Sequence, residues 1–264
     1  MEVIQSKDNM LIKETKKLKE KRFRVERNQF LVEGFRFVEE ALKSTFQVPY
    51  IFLSEEALER WQSFQLNEML QSASKLYIVK EAILKLLSST ETPQGVIAVV
   101  NQNNMHLAVK EGFYVLVDKL QDPGNMGTII RSAHAAGAAG VITTKGTVDI
   151  YNEKTLRSTM GSIFNIPIIE DKDLSIIASL KNSGFKLIVS SLEDSKNFYE
   201  VDLTDNVIIA VGNEGSGISE EIYKLGDMKV KIPMPGNAES LNAGAAASIM
   251  MFEIVRQKLT ITNK

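Results

Sequence analysis

Three glycine-bearing loops hold most of the side chains whose type and spacing could do chemistry. The first runs Asp118-Lys119-Leu120-Gln121-Asp122-Pro123-Gly124-Asn125-Met126-Gly127 and links an apolar strand to a helix. Pro123-Gly124 marks a turn, and Asn125 is placed to cap the helix that follows. Arg131 lies six residues further on. That is about 1.7 helical turns, so it either reaches back toward the loop or faces solvent. The second loop, Gly212-Asn213-Glu214-Gly215-Ser216-Gly217, follows the apolar run Val207–Val211. Its glycines stand at relative positions 1, 4 and 6, the reverse of the dinucleotide fingerprint. They let a ligand approach the backbone closely, while Glu214 repels a phosphate in the same turn. The third loop runs from Ile232 through Pro233, Met234, Pro235, Gly236 and Ser240 to Leu241 and Asn242. Its two prolines set the path, and Ser240 or Asn242 can cap the helix beyond it.

Composition narrows what these loops can do. The 264 residues include no cysteine and only two histidines, His106 and His134. Disulfides, zinc-thiolate sites, iron–sulfur clusters and cysteine nucleophiles are excluded, and no histidine-rich metal site can form. No metal is expected. There is no G-x-x-x-x-G-K-[ST] phosphate loop. The longest charge-free run, Thr92–Val109, is broken by Gln and Asn, so neither a membrane span nor a signal peptide is expected. The expectation is a soluble, cytoplasmic protein. The net charge of −2 argues against coating nucleic acid by bulk charge. That mean conceals an asymmetry, because residues 1–27 hold nine Lys/Arg against five Asp/Glu. Arg22, Arg24 and Arg27 close this run, which is either a solvated helix or a contact for phosphates.

The elements that must position these groups follow from periodicity. Up to residue 102 the pattern alternates strands and helices and predicts a small α/β domain. Strands are expected at Gln29–Glu33, Tyr50–Leu53, Lys75–Val79 and Val96–Val100, and helices at Phe35–Leu42, Glu55–Gln71 and Lys80–Ser88. Residues 103–112 read as a linker. A second α/β pattern fills 113–264, from the strand Phe113–Val117 to a C-terminal helix at Ser240–Lys258. Such alternation predicts a parallel sheet with helices on both faces, and ligands beyond the carboxyl ends of its strands. The small-residue stretches Ala133–Ala139 and Ala243–Ala247 suit either tight internal packing or a subunit interface.

Taken in order, the three loops carry a resemblance. D-x-x-x-D-P-G-N-M-G-T-I-I-R-S-A, V-G-N-E-G-S-G-I and I-P-M-P-G-N-A-E-S-L-N-A are similar to the three motifs of the SpoU/TrmH branch of the SPOUT superfamily, RNA 2′-O-ribose methyltransferases. Residues 1–100 resemble the ribosomal-protein-like substrate-binding domain that precedes the catalytic domain in many members. The cues are Arg27-Asn28-Gln29-Phe30-Leu31-Val32-Glu33-Gly34 and Thr92-Pro93-Gln94-Gly95. One departure is S-L-N-A-G-A-A, where many members have S-L-N-V-S-x-A; it leaves Asn242 in place.

The resemblance implies a C-terminal trefoil knot and S-adenosylmethionine as methyl donor. Gly212, Ile232, Met234, Leu241 and Asn242 match the cofactor positions. Asn125, Arg131, Glu214, Ser240 and Asn242 match the catalytic motif residues, with Asn125 and Arg131 facing the target ribose. An arginine stays protonated in proteins, so Arg131 is read as a phosphate holder that stabilises the developing alkoxide. His134 has no counterpart in the motif and is given no role. Arg157-Ser158-Thr159-Met160-Gly161-Ser162 resembles a further family segment, making Arg157 a phosphate contact or a surface arginine. The implied substrate is a structured RNA, 23S ribosomal RNA ahead of transfer RNA. The implied assembly is a homodimer through the catalytic domain. The competing reading is a non-catalytic RNA-binding or ribosome-assembly protein on the same fold.

Overall fold

The computed structural model describes residues 2–103, 109–191, 195–236 and 238–262, with side chains up to residue 260. His106 and part of the expected linker lie outside the described residues. Contacts divide the chain into two compact units. One is Met1–Asn104 together with Tyr151–Phe164, and the other is Met105–Ile150 with Asn165–Lys264.

The first unit contains β1 (Glu2–Ile4), α1 (Met10–Lys17), α2 (Lys21–Arg27), β2 (Gln29–Glu33) and α3 (Phe35–Lys43). It continues with β3 (Tyr50–Ser54), α4 (Leu58–Ser63), β4 (Lys75–Val79), α5 (Glu81–Leu87) and β5 (Val96–Asn101). The strands form one sheet in the order β1-β4-β3-β5-β2. Pairing is parallel at β1/β4 and β3/β4 and antiparallel at β2/β5 and β3/β5. Alternation along β2 sends Leu31 into a core with Ile12, Phe52, Leu84 and Ile97. Its neighbour Phe30, fully buried, enters an aromatic cluster instead. There it stacks on Tyr151 at 4.5 Å, and Phe164 meets Phe46 at 5.1 Å. Residues from beyond position 150 thus complete the first unit's core.

Two expectations for this unit change. The single helix expected over Glu55–Gln71 is broken, because Gln65 takes a left-handed backbone with φ of +54°. Its interruption lets Trp61 bury its ring while donating from Nε1 to Asn67 Oδ1 at 2.8 Å. The basic N-terminal segment forms two helices, α1 and α2, separated by Leu18–Glu20.

The second unit begins with β6 (Phe113–Val117), α6 (Pro123–Ala135) and β7 (Gly140–Thr144). After α7 (Glu153–Thr159), which clusters with the first unit, come β8 (Ile168–Asp171), α8 (Ser175–Asn182), β9 (Lys186–Ser190) and β10 (Lys196–Asn197). β11 (Val207–Val211), α9 (Glu220–Leu225), β12 (Met228–Lys231) and α10 (Ala243–Thr262) complete it. Seven parallel strands lie in the order β10-β12-β9-β11-β6-β7-β8. Every residue of β6, β7 and β11 is buried, as in strands covered on both faces. Parallel pairing puts the carboxyl ends of all seven strands on one edge. The three loops of interest leave that edge from β6, β11 and β12.

The small-residue stretches serve internal packing in part. A side chain at Gly244 would stand 3.1 Å from Thr128 Cγ2, so α10 approaches α6 closely there. The contact is extended by Ser132 Oγ and Ser248 Oγ at 2.8 Å, with Ala133 and Ala247 fully buried.

Candidate active site

Asp122, rather than Asn125, caps α6. Its Oδ1 accepts the Asn125 backbone N–H at 2.8 Å, with Pro123 at the first helical position, where a missing N–H costs nothing. Asn125 therefore sits within the first turn, nearly buried, with its side chain available. Of the two candidates for the last helix, Asn242 is the cap: its Oδ1 accepts Ala245 N–H at 3.2 Å. Ser240 is exposed in the loop before it.

The glycine loop after β11 folds back on itself. Asn213 and Gly217 exchange two backbone hydrogen bonds of 2.8 and 2.9 Å. A Cβ at Gly212 would lie 2.2 Å from the Gly217 carbonyl carbon, so the reversal itself requires glycine there. Asn213 Oδ1 accepts the backbone N–H groups of Gly215 and Ser216, and its Nδ2 donates to Lys119 O at 3.0 Å. This pins the second loop to the first and presents Glu214.

These two loops and the third meet in one hydrogen-bonded chain. Glu214 Oε1 accepts from Asn125 Nδ2 at 3.0 Å and from the Asp122 N–H at 3.1 Å, while Oε2 accepts the Gln121 N–H at 3.3 Å. Asn242 Nδ2 in turn donates to Asn125 Oδ1 at 2.8 Å. A carboxylate only accepts, so the Asn125 amide must turn its nitrogen to Glu214 and its oxygen to Asn242. Partial burial pushes the Glu214 carboxyl up, but the Asn125 amide and the backbone donors outweigh it and hold it below the ordinary glutamate value. Arg131, on the same helix as Asn125, is exposed and forms no hydrogen bond or ion pair among the described residues. The structure thus joins Glu214, Asn125 and Asn242 in one chain and leaves the Arg131 guanidinium outside it.

The expected cofactor residues border this chain. Leu241 is 40% exposed, Ile232 and Met234 are half-buried, and Gly212 follows β11 directly. Among the described residues the backbones of Gly212, Met234 and Leu241 make no intrachain hydrogen bond. Unpaired backbone groups beside accessible apolar side chains suit a ligand with a flat apolar ring and polar edges. Among the described residues no group of three His, Asp or Glu side chains is placed to hold a metal ion.

The basic N-terminal segment is sorted by the fold. Arg24, expected among the phosphate contacts, is instead buried: its Nη1 donates to the carbonyls of Leu18 and Lys19 at 2.9 and 2.7 Å, closing the end of α1. Arg27 is half-buried and ion-paired with Glu14. Arg22 is exposed and lies 5.7 Å from the Phe23 ring, which Lys17 and Arg27 also approach at 5.5 and 5.9 Å. Lys16, Lys21 and Arg22 have no ion-pair partner among the described residues. Arg157 is exposed and donates to Ser89 Oγ at 3.3 Å within the first unit. Sequence reasoning gave no role to Asp122, Asn213 or Thr144 as the residues that shape the loops. Asp122 had a signal, since an Asp before Pro at a helix start is a cap pattern.

Residues 112–252 match the SpoU rRNA Methylase family model, and residues 9–98 match the MRM3-like substrate binding domain. The chain is 36% identical over 254 residues to a 23S rRNA (guanosine(2553)-2′-O)-methyltransferase of Bacillus subtilis, covering 96% of this chain and 99% of that one. It is 30% identical to a 23S rRNA (uridine(2479)-2′-O)-methyltransferase of Streptomyces viridochromogenes, covering 90% of this chain and 86% of the other. Among solved structures it resembles an AdoMet-bound rRNA methyltransferase from Sinorhizobium meliloti, with a TM-score of 0.86, 30% identity and 97% coverage of both chains. With more than half its length in that model and relatives of this similarity end to end, the chain belongs to the SpoU rRNA methylase family.

Proposed function

We propose that the chain is an S-adenosylmethionine-dependent methyltransferase acting on a ribose 2′-hydroxyl of 23S ribosomal RNA. The observation that carries this reading is the Glu214–Asn125–Asn242 chain, with Arg131 exposed on the same helix as Asn125. Methyl transfer from a sulfonium needs little covalent help from the protein, but it does need oxygen, carbon and sulfur in line. A rigid amide network serves that need, and it requires neither thiol nor metal ligand. The cofactor, when bound, supplies an electrophilic methyl carbon. Gly212, Ile232, Met234, Leu241 and Asn242 would hold it, chiefly through backbone groups, with Ser240 at the rim of the same loop. Arg131 holds an RNA phosphate and stabilises negative charge on the attacking oxygen.

We assign RNA capture to residues 1–102, joined by 103–112 to the catalytic residues 113–264, with Arg157 as a further phosphate contact. The choice of 23S ribosomal RNA over transfer RNA rests on the activities of the two relatives. A trefoil knot in the C-terminal part is consistent with β12 lying between β9 and β10. A homodimer through α10 is supported by Phe252 and Leu259, 49% and 58% exposed and seven residues apart on one helix face. The cytoplasm follows as the place of action from a ribosomal substrate, and no described helix is long and apolar enough to cross a membrane.

The test is ribose-methylation mapping of total RNA with and without the gene, together with calorimetry of S-adenosylmethionine binding. One 23S site lost on deletion, with cofactor binding, supports the reading. No lost site and no binding favours the non-catalytic RNA-binding protein. Arg131→Lys probes the role of the planar guanidinium, and near-intact activity would count against it.

A further inference from the structure

The loop that carries Gln121 and Asp122 to Glu214 begins with a carboxylate that the site chemistry does not use. Asp118, at the carboxyl end of β6, is fully buried, and no cation pairs with it among the described residues. Its Oδ1 accepts from Thr144 Oγ1 at 2.7 Å, and its Oδ2 accepts the Ser219 N–H at 2.6 Å. Thr144, at the end of β7, uses the same hydroxyl oxygen to accept the Lys119 N–H at 3.0 Å. The Lys119 carbonyl is held from the other side by Asn213 Nδ2 at 3.0 Å and Gln121 Nε2 at 2.9 Å.

Between these ties Lys119 has φ of +52°, in the left-handed region that residues with a Cβ avoid. A glycine would take this turn unaided. A lysine stays there only while its surroundings hold it, and here its N–H is held from the end of β7 and its carbonyl by Asn213 and Gln121. The turn matters because it aims the next amides: Gln121 and Asp122 donate to Glu214, which then accepts Asn125.

We propose that Asp118 and Thr144 are positioning residues for methyl transfer: through Lys119 they hold residues 118–122 in the turn that seats Glu214 against Asn125. This rests on the methyltransferase reading above. It adds a dependence which that reading does not contain, since both side chains are buried and bonded within the protein.

The experiment compares Thr144→Val, which keeps the shape and removes the hydroxyl, with Thr144→Ser. Each is also placed on Lys119→Gly and Lys119→Ala backgrounds. Two readouts are taken: hydrogen exchange of the Gln121 and Asp122 amides in the ligand-free protein, and kcat with the KM for RNA. Thr144→Val is expected to speed exchange at both amides and to lower kcat by roughly tenfold each, the size of one lost hydrogen bond. The KM for RNA should stay within about twofold, as the RNA contacts are elsewhere. Thr144→Ser should restore both readouts. Lys119→Gly should suppress most of the Thr144→Val defect, because glycine needs no hold, and Lys119→Ala should leave the defect in full. Unchanged exchange and kcat in Thr144→Val would overturn the proposal. So would equal suppression by Gly and Ala, which would mean that the lysine side chain and not its backbone is the target. If the wild type transfers no methyl group, the methyltransferase reading fails while the exchange comparison still decides the positioning role.

Discussion

Glu214 and Asn125 lie 89 positions apart in the chain, yet Asn125 Nδ2 donates to Glu214 Oε1 at 3.0 Å. The bond joins the loop after β11 to the first turn of α6, and it orients the amide for its second partner, Asn242. Glu214 is itself held by the backbone N–H groups of Gln121 and Asp122. One carboxylate thus accepts from three donors within residues 121–125, and through Asn125 its geometry passes to Asn242.

Glu214→Gln keeps the shape but turns one acceptor into a donor that faces a backbone N–H. At least one of the three bonds is lost. The expected outcome is a fall in kcat of roughly ten- to a hundredfold, the cost of one or two hydrogen bonds to a charged group. The melting temperature should change little, because the residue is exposed. Labelled methyl transfer and thermal melting check this pair of results.

The same carboxylate sets a pH dependence. Its folded value is depressed below the ordinary 4.5, so the bonded state is fully present above that value. Its contribution is lost as pH falls through the lower, folded value, when the protonated group ceases to be a pure acceptor. The Asn125 side-chain amide signals in an NMR titration are expected to shift with a midpoint below pH 4.5. A midpoint at or above 4.5 would contradict the observed hydrogen-bond set.

Gly212→Ala places a Cβ where the Gly217 carbonyl carbon lies 2.2 Å away, so the Asn213–Gly217 reversal must open. Glu214 then leaves Asn125. The expected outcome is loss of S-adenosylmethionine binding and of activity, with β11 and the rest of the sheet intact. Calorimetry together with circular dichroism distinguishes this from general unfolding.

The basic segment separates into two kinds of residue. Arg24→Ala leaves the Leu18 and Lys19 carbonyls without their donor and empties a buried site, at a cost of roughly 2–4 kcal/mol. It should lower the melting temperature. Lys16→Ala, Lys21→Ala and Arg22→Ala should leave melting unchanged. Each lost phosphate contact should reduce the salt slope of RNA binding by roughly 0.7 to 0.9. Filter binding across a salt series, beside melting curves, tests the division.

Much of this was legible before the fold. Apolar runs such as Phe113–Val117 and Val207–Val211, short, rich in β-branched residues and followed by turn residues, read as strands buried on both faces. The three loop motifs held Asn125, Glu214 and Asn242, which the fold joins, whereas Arg131 and Ser240 from the same motifs make no hydrogen bond with them among the described residues. Arg24 was not legible: in sequence it is one cation among nine, and only folding shows that it faces carbonyls of its own chain. Nor could spacing show that Asp122 rather than Asn125 caps α6, or that residues after 150 would complete the aromatic core around Phe30. The meeting of Glu214, Asn125 and Asn242 and the hold on Lys119 depend on contacts between segments far apart in the chain. Residue type and local period determine which groups are available and on what element. Which of them meet is decided when parallel pairing brings the ends of β6, β7, β11 and β12 to one edge.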